Sequence, residues 1–189
     1  MIPPFSAQGV LPTKISPLTD DHSPFPCTLV EIVQRYGFSE HRRELLRGFI
    51  RFRARFYELG FSIGEHIVGG SFVDDCERRY GRPPADIDVL TVLAPSQQFP
   101  REVKLELINS LDREGAKERY GVDARLAVPA FMRADRACRI VAIVTQLLTK
   151  DRNNRAKGAL AVPFSASLDQ EAAALLESMS AAGQPAAAP

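Results

Sequence analysis

Ile67-Val68-Gly69-Gly70-Ser71, then fourteen intervening residues, then Asp86-Ile87-Asp88-Val89-Leu90-Thr91-Val92-Leu93 is the stretch that decides the fold. Residues 61–68 read as a strand that breaks on two glycines, and 86–93 read as a second strand rich in branched side chains. Strand side chains alternate between faces. Asp86 and Asp88 therefore share one face, while Ile87 and Val89 turn to the other and into a core.

Working outward, Leu45, Phe49, Phe52, Phe56 and Leu59 recur at spacings of three and four, which predicts an amphipathic helix over 40–59, capped by Ser39 and stopped by Gly60. Arg42, Arg43, Arg47, Arg51 and Arg55 are expected on its opposite face, as a solvated surface or a face for RNA or a partner. A helix over 100–119 follows, with Val103, Leu107, Ile108 and Leu111 inward. A strand at 122–128, a helix at 133–149 and a last strand at 159–164 complete the alternation. Such alternation implies a single α/β domain, a mixed β-sheet flanked by helices. Residues 1–28 hold six prolines and read as an extended arm anchored by Phe5, Val10, Leu11 and Phe25. The body is expected over 29–165. Residues 166–189 are expected to form a short helix and then, from about Ser178, a disordered Ala/Pro-rich tail.

Composition narrows the classes. A net charge of +1 argues against indiscriminate binding to nucleic acid or anionic lipid. Cys27, Cys76 and Cys138 are odd in number and form no CxxC pair, which favours reduced thiols in a cytoplasmic protein and removes the usual zinc spacings. The longest apolar run, 140–144, falls far short of the roughly 20 residues of a membrane span. No membrane partner is expected.

Two carboxylates close together on a strand repel one another, and a divalent cation relieves that; Mg²⁺ prefers oxygen ligands completed by water and phosphate. Gly69 and Gly70 let backbone amides approach an anion, and Ser71 adds a hydroxyl. Asp123, near the start of the 122–128 strand, supplies a third carboxylate, with Arg125 on its face by the same alternation. Taken singly, each feature has a plain structural reading: a tight turn out of a strand, a solvated strand edge, a strand-start residue.

Together, Gly70-Ser71, Asp86-Ile87-Asp88 and Val122-Asp123-Ala124 resemble the signature of the polymerase-beta type nucleotidyltransferase superfamily, over roughly residues 61–128. Ile2-Pro3-Pro4-Phe5, Gly9-Val10-Leu11-Pro12, Asp151-Arg152 and Lys157-Gly158 look like a bacterial family of uncharacterised nucleotidyltransferase-like proteins. The resemblance implies a nucleotidyltransferase-type sheet and transfer of a nucleoside monophosphate from a nucleoside triphosphate, with ATP the expected one. Mg²⁺ or Mn²⁺ would sit on Asp86, Asp88 and Asp123, and Gly69, Gly70 and Ser71 at the phosphates. The acceptor is left open among a small molecule, an RNA and a protein, and a homo-oligomer is an open expectation. The alternative is a non-catalytic module of the same fold, an antitoxin or regulatory subunit binding through its arginine-bearing helix and arm; a toxin that nucleotidylates transfer RNA would use the first chemistry.

Three further expectations attach to charged side chains outside that trio. Asp74, Asp75, Arg78 and Arg79, in the 72–85 insertion, form a flap or a longer loop. Lys157 and Arg152 are solvated turn charges, with contact to a triphosphate the second reading. His22, His41 and His66 lack metal spacing and read as surface or packing residues.

Overall fold

A capping box opens the first helix: the Thr28 hydroxyl accepts from the Glu31 amide, and the Glu31 carboxylate accepts from the Thr28 amide at 2.8 Å. In the computed structural model, which describes residues 1–15, 21–93, 100–111, 113–129 and 132–182, this helix is α1 (Leu29–Tyr36). It follows a two-residue edge strand, β1 (Phe25–Pro26). The order continues α2 (Glu40–Glu58), β2 (Gly64–Gly69), α3 (Cys76–Tyr80), β3 (Ile87–Leu93), α4 (Arg101–Ser110), α5 (Arg113–Tyr120), β4 (Val122–Ala127), α6 (Ala134–Leu148), β5 (Leu160–Pro163) and α7 (Ala166–Ala182). The strands form one mixed five-stranded sheet in the order β1-β5-β2-β3-β4, so the α/β reading holds. Parallel β3 and β4 are joined by the α4–α5 crossover, whereas β2 is antiparallel to both β3 and β5.

Each face of the sheet has its own cover. On one, Val68, Ile87, Val89 and Val122 pack with Phe49, Phe52 and Phe56 of α2 in the main core. On the other, Ile67, Leu90 and Ala127 pack beneath Val144 and Leu148 of α6. Among the described residues no helix is long and apolar enough to cross a membrane.

Several expectations change. The predicted 100–119 helix is two, α4 and α5; Asn109, Ser110 and Asp112 are residues whose side chains compete for the backbone and favour turns. Leu107 and Leu111 are buried as expected, while the Ile108 side chain lies outside the described residues. Helix α7 runs to Ala182, past the Ser178 at which disorder was expected, because Ala172 and Leu176 bury against α1 and α2; residues 183–189 lie outside the described residues. The arm does lie on the body, with Leu11 and Phe25 buried and the Leu11 carbonyl accepting from the Gly158 amide at 2.7 Å.

The arginine face is the largest revision. Arg42 is fully buried, paired with Glu77 at 2.7 Å and donating to the carbonyls of Phe72 and Asp74. Arg42 stands three residues before Leu45 and seven before Phe49, on the apolar stripe itself, and Arg53 is there by the same count. Arg53 is equally buried and bonds Asp169 through Nε at 2.7 Å and Nη2 at 2.9 Å. Arg43 and Arg47 pair with Glu40, and Arg55 with Glu58, as a solvated face would; Arg51 is exposed.

His66 is a packing histidine. It is buried between α2 and the sheet, its ring 5.4 Å from Phe56 and 4.8 Å from Phe164, with Nδ1 at 2.9 Å from the Thr91 hydroxyl. Burial first, then Arg53, holds its pKa well below the ordinary 6.5. The unfolded chain therefore binds a proton below pH 6.5 that the folded chain refuses, so this group costs stability as pH falls through that value. The slope is about 1.4 kcal/mol per pH unit at most. Urea unfolding between pH 7.5 and 5 is expected to show that loss, and the double variant His66→Leu with Thr91→Val to lack it.

Candidate functional site

Register brings the predicted acids together at one end of the sheet. Asp88 and Asp123 are direct partners across parallel β3 and β4, and Gly69 is the partner of Asp88 across antiparallel β2. These three positions share the α6 face, and Asp86 precedes β3 at the same end. Ile87 and Val89 are buried on the opposite face, as alternation predicts.

The glycines are there because nothing larger fits. Gly70 has φ of +64°, and a Cβ on it would overlap the Asp88 carboxylate. A Cβ on Gly69 would overlap Leu148 at the end of α6. From Gly70 the chain makes a 3-10 turn, Gly70–Val73, and enters α3, capped by Asp75.

The 72–85 segment is neither flap nor simple loop. Phe72, Val73 and Asp74 are buried, and the Asp74 carboxylate accepts from Lys157 at 2.9 Å and Arg79 at 3.0 Å. Arg79 continues to Asp151 at 2.8 Å. Lys157, expected as a solvated charge, is 2% exposed and also donates to the Gly70 carbonyl. A buried ammonium thus fixes the glycine turn from beneath. It became legible only when the fold placed residue 157 under residue 70.

Electrostatics set the three acids apart. Burial first, then the Asp86 and Asp123 charges, push the Asp88 carboxyl up to about 6. Burial acts to raise Asp123 as well, but hydrogen bonds and charges from Arg113 and Arg125 outweigh it and hold that carboxyl below its usual range. Asp86 pairs with Lys117 at 2.6 Å. Arg113 and Lys117 stand one helical turn apart on α5 and reach different acids, a spacing visible in the sequence and missed there.

Two cavities open here. The larger, about 430 Å³, is lined by Gly70, Ser71, Asp86 and Asp88, with Lys117, Lys150, Arg152 and Lys157 among its walls. Arg152, unlike Lys157, is exposed, as a solvated turn charge would be. The smaller, about 150 Å³, holds Asp88, Asp123, Arg113 and Arg125. Asp123 thus lines a different cavity from Asp86, with Asp88 and Gly70 common to both.

The acids fit a hard cation in donor type, and the repulsion on Asp88 is what a cation would relieve. As they stand, Lys117 and the two arginines take up Asp86 and Asp123, and among the described residues no three acidic, histidine or cysteine side chains converge as a metal-binding group. Closing around a cation requires Asp86 to exchange Lys117, whose side chain is 52% exposed, and Asp123 to give up a donor of Arg113 or Arg125.

A family described as "Family of unknown function (DUF6932)" matches residues 3–163, and the chain belongs to that family. No curated protein and no solved structure matches the chain.

Proposed function

We propose that this DUF6932 protein is a Mg²⁺-dependent nucleotidyltransferase, passing a nucleoside monophosphate from a nucleoside triphosphate, ATP in the first instance, to a hydroxyl-bearing acceptor. The observation that carries this reading is the contact between Gly70 and the Asp88 carboxylate, with Asp123 in register beside it and Asp86 at the same edge. A side-chain-free turn touching a strained acid pair is what a phosphate chain and its cation need. The larger cavity adds five cationic side chains against four carboxylates, a lining suited to a polyphosphate.

In this reading the backbone of Gly69, Gly70 and Ser71 holds the β- and γ-phosphates, and Asp86, Asp88 and Asp123 would hold the cation. Bound there, the cation would neutralise charge on the attacking and leaving oxygens. The acceptor oxygen bonds to the α-phosphorus in line as the bond to the bridging oxygen breaks. Asp123 orients the attacking hydroxyl, whose proton leaves to water, and pyrophosphate leaves. Lys157, on the wall of that cavity, keeps the turn in place.

One observation favours a second reading, a non-catalytic module of the same architecture: two of the three acids already have basic partners. Incubation with α-labelled ATP and Mg²⁺ in a lysate separates the two. Catalysis predicts label on an acceptor and its loss in Asp86→Asn with Asp88→Asn; label retained by that double variant would refute catalysis at this site.

A further inference from the structure

The smaller cavity shares Gly70 and Asp88 with the larger one and adds Asp123, Arg113 and Arg125. At about 150 Å³ it is too small for a nucleotide and matches the volume that takes a benzene-sized group of about six heavy atoms. Its walls are of two kinds. Val144, Leu147 and Leu148 of α6 form an apolar side, while Arg113 and Arg125 flank Asp123 on the other. The arginines come from different elements, α5 and β4, and converge on one carboxylate. Each guanidinium carries five donors in a planar fork, more than its bonds to Asp123 and, for Arg125, to the Ala124 carbonyl use. Within the cavity the two guanidiniums balance Asp88 and Asp123, so a cation on those acids would leave it positive.

The Gly9 carbonyl accepts from the Asp75 amide at 2.9 Å, binding the N-terminal arm to the 72–85 segment, and Leu11, Phe25, Phe72 and Val73 bury in the main core. The small cavity meets the larger one at Asp88, Gly70 and Leu147. In the nucleotidyltransferase reading, a group held there adjoins the phosphate chain.

We infer that the smaller cavity is the acceptor subsite, and that it takes a compact hydroxyl-bearing group carrying an oxyanion, which Arg113 and Arg125 hold beside Asp123. The inference rests on the nucleotidyltransferase reading. It deepens that reading by naming the chemical class of the acceptor: a hydroxy acid or a phosphorylated alcohol rather than a neutral alcohol. The apolar wall of α6 takes the carbon frame, and the two forks fix the anion so that the hydroxyl faces the larger cavity.

The test is calorimetric, on the full chain with Mg²⁺ and α,β-methylene ATP, which binds without transferring. Glycolate and glycerol 3-phosphate are titrated separately to distinguish carboxylate from phosphate, with glycerol as the neutral control. At least one anion is expected to bind ten times more tightly than glycerol, and Arg113→Gln and Arg125→Gln each to weaken it at least tenfold without weakening the ATP analogue. Arg113, 61% exposed, is replaceable without disturbing the core, so its loss of binding is not a folding defect. Glycerol binding as well as both anions, no binding of any probe, or unchanged anion affinity in both variants while the analogue still binds would overturn the subsite alone. Failure of the analogue itself to bind would overturn the nucleotidyltransferase reading and the acceptor role with it.

Discussion

Asp88→Asn is expected to make the metal-free protein more stable and, in the same molecule, to remove Mg²⁺-dependent ATP binding. Asp88 is mostly buried and faces two other acids, and its carboxyl is raised from 3.8 to about 6. Its folded pKa exceeds its unfolded one, so ionisation costs stability fully above about pH 6, and the cost fades as pH falls toward 3.8. Two units correspond to about 3 kcal/mol, which partial solvent exposure reduces to roughly 1–2 kcal/mol at pH 7.5. Asparagine has the same shape and no charge to desolvate. Chemical denaturation of wild type and variant at pH 7.5 and pH 5 measures the difference, expected to be larger at the higher pH. A less stable variant at both pH values would mean that the carboxylate is a structural anchor. The opposite slope from His66 occupies a similar pH range, so each is read from its own variant and not from the wild-type profile alone.

Lys157→Met carries the largest expected loss of stability, about 3–5 kcal/mol, because removing one member of a buried ion pair leaves the other uncompensated. Among the described residues, Asp74, 2% exposed, would keep only Arg79, and one of its oxygens, Oδ1, already lacks a partner. The Gly70 carbonyl would lose its donor at the same time. The second substitution Asp74→Asn is expected to recover part of the loss, since it removes the stranded charge. Thermal unfolding of the single and double variants reads this directly, and a loss below about 1 kcal/mol in the single variant would show that the buried pair contributes little.

Both variants concern residues that differ in how far the sequence exposed them. Asp86, Asp88 and Asp123 were legible because each sits on or beside a strand whose alternation is local, and because β3 and β4 pair in the register that puts 88 beside 123. Helix α2 was legible for the same reason, through its phenylalanine spacing. Its charged residues were not. Arg42 and Arg53 lie on the apolar stripe, and counting from Leu45 and Phe49 places them there; grouping Arg42 with the opposite face, and assigning Arg53 to neither, hid that. Their partners gave no local signal, Asp169 being 116 residues from Arg53.

The same distance hid the support of the candidate site. Lys157 and Asp74 are 83 residues apart, and only the antiparallel pairing of β2 with β5 brings the turn before β5 under the turn after β2. Lys117 and Arg113 were within reach of the sequence, four residues apart just before β4, but their targets depend on α5 standing over the strand ends. α1 was missed although its Thr28 to Glu31 capping box is written in the sequence. The odd cysteine count needed no revision, for Cys27, Cys76 and Cys138 are all free.

The most direct measurement is a titration of ATP into the purified chain by calorimetry, with and without Mg²⁺, on wild type and on Asp86→Asn with Asp88→Asn. The nucleotidyltransferase account predicts saturable 1:1 binding by the wild type that needs Mg²⁺ and is absent from the double variant. ATP binding that is equal with and without Mg²⁺, or that the double variant keeps, would contradict it.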